Sequence, residues 1–176
     1  MRLFIWTDGA IVNGGNRDGS GIAEGGIGVV IAEQDDSIVD SFSKKYIGPT
    51  AEGSYDQVTV NRMEMRAAIE GLKFFIKEYE FEKKDVVTIK SDSAYLVNSA
   101  MKYLKKWKSN GWKTNTGQSV KNRDLWEELD EIFTSKNRPK LLFKHVKGHS
   151  GIPLNEEADR LAQSEVREIK GAEKCV

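Results

Sequence analysis

The first apolar run, Leu3-Phe4-Ile5-Trp6, stops at Thr7-Asp8-Gly9, the pattern of a buried strand meeting a turn. The stretch from Ala10 to Gly26 is rich in Gly and Asn and is expected to be a loop. Gly28 to Ala32 and Ile38 to Tyr46 have strand character, and the short polar link from Glu33 to Ser37 predicts a hairpin between them. A second loop, Gly48 to Val58, has no periodic pattern. From Asn61 to Tyr79 the period changes: Met65, Ala68, Ile69, Leu72, Ile76 and Tyr79 recur at helical spacing. Val86 to Ile89 is a fourth strand ending at Ser91-Asp92, and Ser93 to Trp107 is one or two helices. Ser109 to Ser119 forms an exposed loop and Arg123 to Phe133 a helix. Leu141-Leu142-Phe143 opens a fifth strand, and Asn155 to Ile169 is the last helix.

The order β-β-β-α-β-α-β-α predicts an α/β fold. Its five-stranded mixed sheet has three antiparallel strands, then parallel crossovers, and is flanked by helices. Right-handed crossovers put strand four beside strand one and parallel to it, so the ends carrying Asp8 and Asp92 meet. No repeat or linker divides the 176 residues, which are expected to form one domain. Hydrophobic residues make up 39% and charged residues 31%, with 27 cations against 27 acids, so the overall balance points to neither nucleic acid nor membrane. One cysteine, Cys175, in the C-terminal tail of about 170–176, excludes an internal disulfide, and with two histidines it argues against a zinc site. No leader pattern is present, and no apolar run approaches the roughly 18 residues of a membrane span, so a cytoplasmic location is expected. The absence of a long exposed apolar stripe predicts a monomer.

Four acids stand where chemistry could gather. Asp8 and Asp92 follow apolar strands, at the edge where open α/β sheets place their sites. Glu64 falls in the first turn of the long helix, and Asp159 near the start of the last. Crowded carboxylates raise one another's pKa, a penalty that a divalent cation removes; oxygen ligands favour Mg2+ or Mn2+. Two such ions roughly 3.5–4 Å apart serve phosphodiester cleavage. Each acid also has a plain structural role to fill. Asn61-x-x-Glu64 is spaced as a capping box, Asp8-Gly9 as a turn, Asp92 as a cap, and Asp159 as a complement to the helix dipole.

From Met101 to Arg123 there is no acidic residue, and Lys102, Lys105, Lys106, Lys108, Lys113, Lys121 and Arg123 alternate with Tyr103, Trp107 and Trp112. Cations neutralise phosphates and aromatic faces stack on sugars or bases, so this segment is a candidate nucleic-acid interface. Trp126, in a helix with Leu129 and Phe133, is expected in the core. His149, between Gly148 and Ser150-Gly151, is a titratable group on a mobile segment.

Ile5-Trp6-Thr7-Asp8-Gly9, Asn61-Arg62-Met63-Glu64-Met65, Ser91-Asp92-Ser93, Val146-Lys147-Gly148-His149-Ser150-Gly151 and Asn155-Glu156-Glu157-Ala158-Asp159 together resemble the motifs of ribonuclease H type 1. They come in the family's order, from about Ile5 to Ala162. The resemblance implies a ribonuclease H-like fold and cleavage of the RNA strand of RNA/DNA hybrids with two magnesium ions, leaving 5′-phosphate and 3′-hydroxyl ends. It implies that Asp8, Glu64, Asp92 and Asp159 are metal ligands and that His149 assists turnover, while His145 has a structural role. The segment around 101–123 resembles the basic protrusion of the bacterial-type enzymes, which grips the DNA strand; Trp107 and Lys113 are its foremost expected contacts, with Trp112 beside them. Gly9 and Asn61 match positions bordering the hybrid, and Thr59 matches a residue of the phosphate pocket.

The chain departs from the pattern in an extended loop after Asp8, where no phosphate-pocket asparagine is assignable between Asn13 and Asn16, and in an extended loop before Thr59. Val60 and Ala94 stand where asparagine and glutamine are frequent. A hybrid-binding module without catalysis is the main alternative, and it would tolerate loss of an acid. Other nucleases of the superfamily generally lack the protrusion and the Lys-Gly-His-Ser-Gly segment. Met1 directly before the first strand favours a free-standing enzyme over a domain excised from a reverse transcriptase.

Overall fold

The computed structural model describes residues 1–12, 21–52, 54 and 56–166. Five strands, β1 (Arg2–Ile11), β2 (Ile22–Ala32), β3 (Ile38–Pro49), β4 (Val86–Ser91) and β5 (Lys140–His145), form one sheet in the order β3-β2-β1-β4-β5. β1–β2 and β2–β3 are antiparallel, whereas β1–β4 and β4–β5 are parallel. The expected mixed sheet is present, with strand four parallel to strand one.

The strands are longer than their apolar runs. β1 continues through Asp8 and Gly9, which pair with Gly28 and Ile27 of β2, so Asp-Gly is not a turn here. β2 likewise starts at Ile22, within the stretch expected to be a loop. The cause is a helix laid close on the sheet. A Cβ on Gly28 would sit 2.0 Å from the Ala158 carbonyl oxygen, and one on Gly26 2.2 Å from that of Ala162. Glycines that resemble loop punctuation are there to admit a helix backbone.

One face of the sheet carries α1 (Val60–Glu78), α2 (Ala94–Asn98) and α4 (Arg123–Thr134). α2 continues through a π-helical turn, Ser99–Tyr103, into α3 (Leu104–Ser109). Leu3, Ile5, Val87 and Ile89 meet Met65, Ile69, Leu72, Leu96, Leu125 and Trp126 there in the main core. Trp126 is fully buried. On the opposite face α5 (Pro153–Val166) packs over β1, β2 and β3, closing a second core of Trp6, Val30, Leu154 and Ala158. Ile169, Cys175 and the Asn13–Asn16 stretch lie outside the described residues. No described helix is long and apolar enough to cross a membrane.

Candidate active site

The acids arrive at one edge from four elements. Asp8 lies on β1 just beyond its last pairing with β4, Thr7 to Ser91, and Asp92 follows β4 directly. Glu64 comes from α1, whose start is capped by Thr59: its hydroxyl accepts from the Arg62 N–H at 3.3 Å. Asn61 is therefore the second residue of the helix and not a cap, and Glu64 falls past a first turn that contains no acid. α1 can approach because residue 9 is glycine. A Cβ there would lie 2.5 Å from the Glu64 nitrogen.

Carboxylate oxygens of Asp8, Glu64 and Asp92 lie within 4.8 Å of one another. Asp159, on the second turn of α5, stands outside that tight group but next to Asp8, on which its charge and a side-chain hydrogen bond act. Asp8 and Glu64 are 6% and 5% exposed. Burial, then the Asp92 charge, then Asp159 push the Asp8 carboxyl up to about 7, against the opposing effect of its hydrogen bond with Glu64. Burial and the charges of Asp8 and Asp92 raise Glu64 far above the usual carboxylate range. Among the described residues, its buried Oε2 has no hydrogen-bond partner. An acceptor with no donor, in a nest of acids, fits a hard divalent cation.

The ordinary roles open to these acids are filled otherwise. Ser93, not Asp92, caps α2 by accepting from the Leu96 N–H at 3.1 Å. Asp159 lies beyond the first turn of its helix, where Glu156 is the acid. Asp92 is instead held by neighbours: Asn155 Nδ2 is 3.4 Å from its Oδ2, and His145 Nε2 is 3.1 Å from its carbonyl oxygen. Asn155 is buried, a supporting role that the sequence reading did not assign. His145, expected to be structural, anchors the backbone beneath an acid. The Gly148 backbone lies against the Asp92 carboxylate, where a Cβ would come within 2.5 Å of Oδ2. His149 follows it, exposed and in the left-handed region at φ 49°.

At the starts of α1 and α4 a cleft of about 830 Å³ is lined by Thr59, Asn61, Gln57, Asn122 and Lys121 among others, and by none of the four acids. Arg62, buried beneath it, forms a two-pronged ion pair with Asp124 at 2.8 and 2.7 Å and donates from Nε to the Gln57 carbonyl at 2.8 Å. This holds the start of α1 against the start of α4; the sequence reading missed it because the partners are remote in the chain.

The basic segment is folded rather than a bare loop. Trp107 is half-buried, stacked on Tyr103 at 5.7 Å and tilted against Trp126 at 5.7 Å. Trp112 is 9% exposed and belongs to the main core, with Arg123 over its ring at 5.7 Å. Lys113 is exposed at the tip, its N–H bound to Asn110 Oδ1 at 3.1 Å. Lys108, Lys121 and Arg123 are ion-paired to Asp130, Glu52 and Glu127, and Lys106 donates to Asn115 Oδ1 at 2.8 Å, which among the described residues leaves the side chains of Lys102, Lys105 and Lys113 as the free cations of this segment.

A mixed sheet that gathers carboxylates at the ends of two adjacent parallel strands defines a class of α/β enzyme working through divalent cations. The chain belongs to the RNase H family, whose match extends over residues 1–167, and it is a ribonuclease. The Ribonuclease H of Francisella philomiragia subsp. philomiragia is 43% identical over 119 residues, 68% of this chain and 72% of that protein. The Ribonuclease H of Francisella tularensis subsp. novicida gives the same figures, 43% over 119 residues, 68% and 72%. Among solved structures, the PFV RNase H domain aligns with a TM-score of 0.71 and 24% identity over 93% of each chain. LC9-RNase H1, described as a type 1 RNase H, aligns with a TM-score of 0.63 and 24% identity over 93% of this chain and 71% of that one. LC11-RNase H1 in complex with an RNA/DNA hybrid aligns at 0.56 with 18% identity over 92% and 97%.

Proposed function

We propose that this ribonuclease hydrolyses the RNA strand of RNA/DNA hybrids with two Mg2+ ions, for which Mn2+ can substitute, leaving 5′-phosphate and 3′-hydroxyl ends. The observation that carries the reading is the gathering of the Asp8, Glu64 and Asp92 carboxylates within 4.8 Å, with the buried Glu64 Oε2 lacking a hydrogen-bond partner among the described residues. Asp8, Glu64, Asp92 and, at the margin, Asp159 hold the ions, which supply Lewis acidity at the phosphodiester. His149, on its exposed turn beside Asp92, handles a proton at the leaving group or helps product depart.

Gly9 and Asn61 face the RNA sugar edge, where 2′-hydroxyls distinguish RNA from DNA. Thr59 and the cleft beside it receive a phosphate of the DNA strand. Lys113 and the exposed edge of Trp107 grip that strand further along. Trp112 supports this grip from within the core. The enzyme acts as a monomer in the cytoplasm, as one domain.

The test is cleavage of a labelled RNA/DNA hybrid with Mg2+, beside RNA duplex, DNA duplex and single-stranded RNA. Cutting confined to the hybrid's RNA strand, with 5′-phosphate products, is expected. Binding without cutting, in Mg2+ and in Mn2+, would favour the hybrid-binding module instead.

A further inference from the structure

Among the described residues, α5 packs over β1, β2 and β3 and leaves the β4–β5 half of its face of the sheet open. Along β4 and β5 the alternate residues Val87, Ile89, Leu141 and Phe143 are buried under the helices of the other face. Val86, Thr88, Lys90, Lys140, Leu142 and Lys144 therefore point the open way, with none of them buried. Lys90 and Lys144 are register partners, so two ammonium groups stand on neighbouring strands of the same face. Like charges in that relation are destabilising. Among the described residues, Lys90, Lys140 and Lys144 have no ion-pair partner, and Asp36 is the acid whose charge reaches Lys90.

Lysines on an edge strand guard it against pairing with another sheet, which accounts for Lys140 and Lys144. Lys90 is on the interior strand β4 and needs another reason. It is also built in place: its Nζ lies 3.5 Å from the Phe4 ring centroid and 4.3 Å from that of Trp6. Two residues further along the same strand direction stands Asp92, so the cations are continuous with the candidate active site.

We infer that this open half-sheet takes up the phosphate backbone of a single nucleic-acid strand running off the active-site edge, with Lys90 and Lys144 as its principal cations and Lys140 beyond them. The inference rests on the hydrolase reading above. The basic protrusion lies on the other face of the sheet, with α1 and α4. A straight duplex held there does not reach the open half-sheet, whereas a flexible overhang can bend round the edge. A flat sheet carrying cations and a part-exposed Phe4 suits a sugar-phosphate strand.

The experiment compares a blunt hybrid with the same hybrid bearing a single-stranded overhang at each end in turn, by anisotropy in chelator over a salt series. The wild type is expected to bind at least one overhang substrate several-fold more tightly than the blunt one. Lys90→Gln with Lys144→Gln removes that advantage and lowers the salt slope by about 1.4, roughly 0.7 for each phosphate contact on a single strand. Lys144→Gln alone, at an exposed position, gives about half of this slope change if the double variant misfolds. Lys83→Gln with Lys84→Gln, which removes the same charge at the turn before β4, leaves the advantage intact. No overhang advantage in the wild type, or equal loss for blunt and overhang substrates, would overturn the inference. So would an acidic peptide that binds this face while overhangs have no effect. Failure of the hydrolase reading is visible separately, as a wild type that does not cut the blunt hybrid with Mg2+.

Discussion

The acid cluster carries a stability cost that a single substitution should relieve. Asp8 is raised from 3.8 to about 7, so the folded chain binds its proton more tightly than the unfolded chain does. Folding is therefore favoured below the unfolded value, and this contribution is lost as pH rises through about 4 to 7. A shift of that size corresponds to about 4 kcal/mol as an upper bound, at about 1.4 kcal/mol for each tenfold step. Asp8 is 6% exposed, so solvent screening removes little of it. Local relaxation and sharing of the proton with Glu64 reduce the expected loss to about 2 kcal/mol. Asn at position 8 keeps an acceptor for the Gly9 N–H, which lies 2.8 Å from Asp8 Oδ1, but removes the charge. In chelator, urea unfolding should find Asp8→Asn equal to the wild type near pH 4 and more stable by about 2 kcal/mol near pH 8. Adding Mg2+ should then stabilise the wild type more than the variant, because the cation binds the folded acids. A wild type whose stability relative to the variant stays flat or rises between pH 4 and pH 8 would refute both the electrostatic account and the crowding that underlies it.

Cleavage should disappear in Asp8→Asn while hybrid binding measured by anisotropy persists; equal loss of both would count against metal ligation. Gly9→Ala pushes a methyl group into the start of α1 and should cost about 2 kcal/mol or more in thermal stability, with loss of activity beyond that of an equally destabilised control. An unaffected melting temperature would show that α1 can retreat without consequence. Arg62→Met leaves the partly exposed Asp124 to water, but it frees the start of α1. The expected result is a raised KM with a smaller fall in kcat, and unchanged kinetics would mean the ion pair is structural padding. Lys113→Ala should raise KM and lower the salt slope by about one. An unchanged slope would remove Lys113 from the substrate path.

The elements most legible in the sequence were those with a clean period. α1 is displaced by only a residue at each end from the Asn61–Tyr79 pattern, and β4 ends where Ser91-Asp92 predicted. What misled were residues whose local signal and tertiary role differ. Gly25 and Gly26 look like loop punctuation, yet they line a strand where Met63 and α5 come close. Asp8-Gly9 has turn chemistry but is ladder-paired to β2, and pairing overrides the local preference. Trp112 was grouped with Trp107 because both punctuate a basic run. The backbone at Trp112 is left-handed, at φ 64°, and its ring lies in the core, which no one-dimensional pattern reveals. The Arg62–Asp124 pair and the support of Asp92 by Asn155 and His145 are products of topology, invisible until α1, α4 and α5 are in place.

The candidate site therefore does not rest on motif spelling alone. Each acid had an ordinary structural alternative, and the fold withdraws those alternatives one at a time. Thr59 caps α1, Ser93 caps α2, Asp8 lies within a strand, and Asp159 lies past the first turn of α5. What is left is a set of carboxylates at the edge where two parallel strands end, two of which, Asp8 and Glu64, are held above their ordinary pKa, and among the described residues a buried Glu64 oxygen is unpartnered. A fold selected for stability alone would not keep them, since replacing buried repelling acids with neutral residues is favourable. The glycine at position 9 points the same way, because its absent side chain is what lets Glu64 reach Asp8. Stability is given up at this edge in two separate ways, by charge crowding and by an obligatory glycine, and both concessions serve the same few ångströms of space.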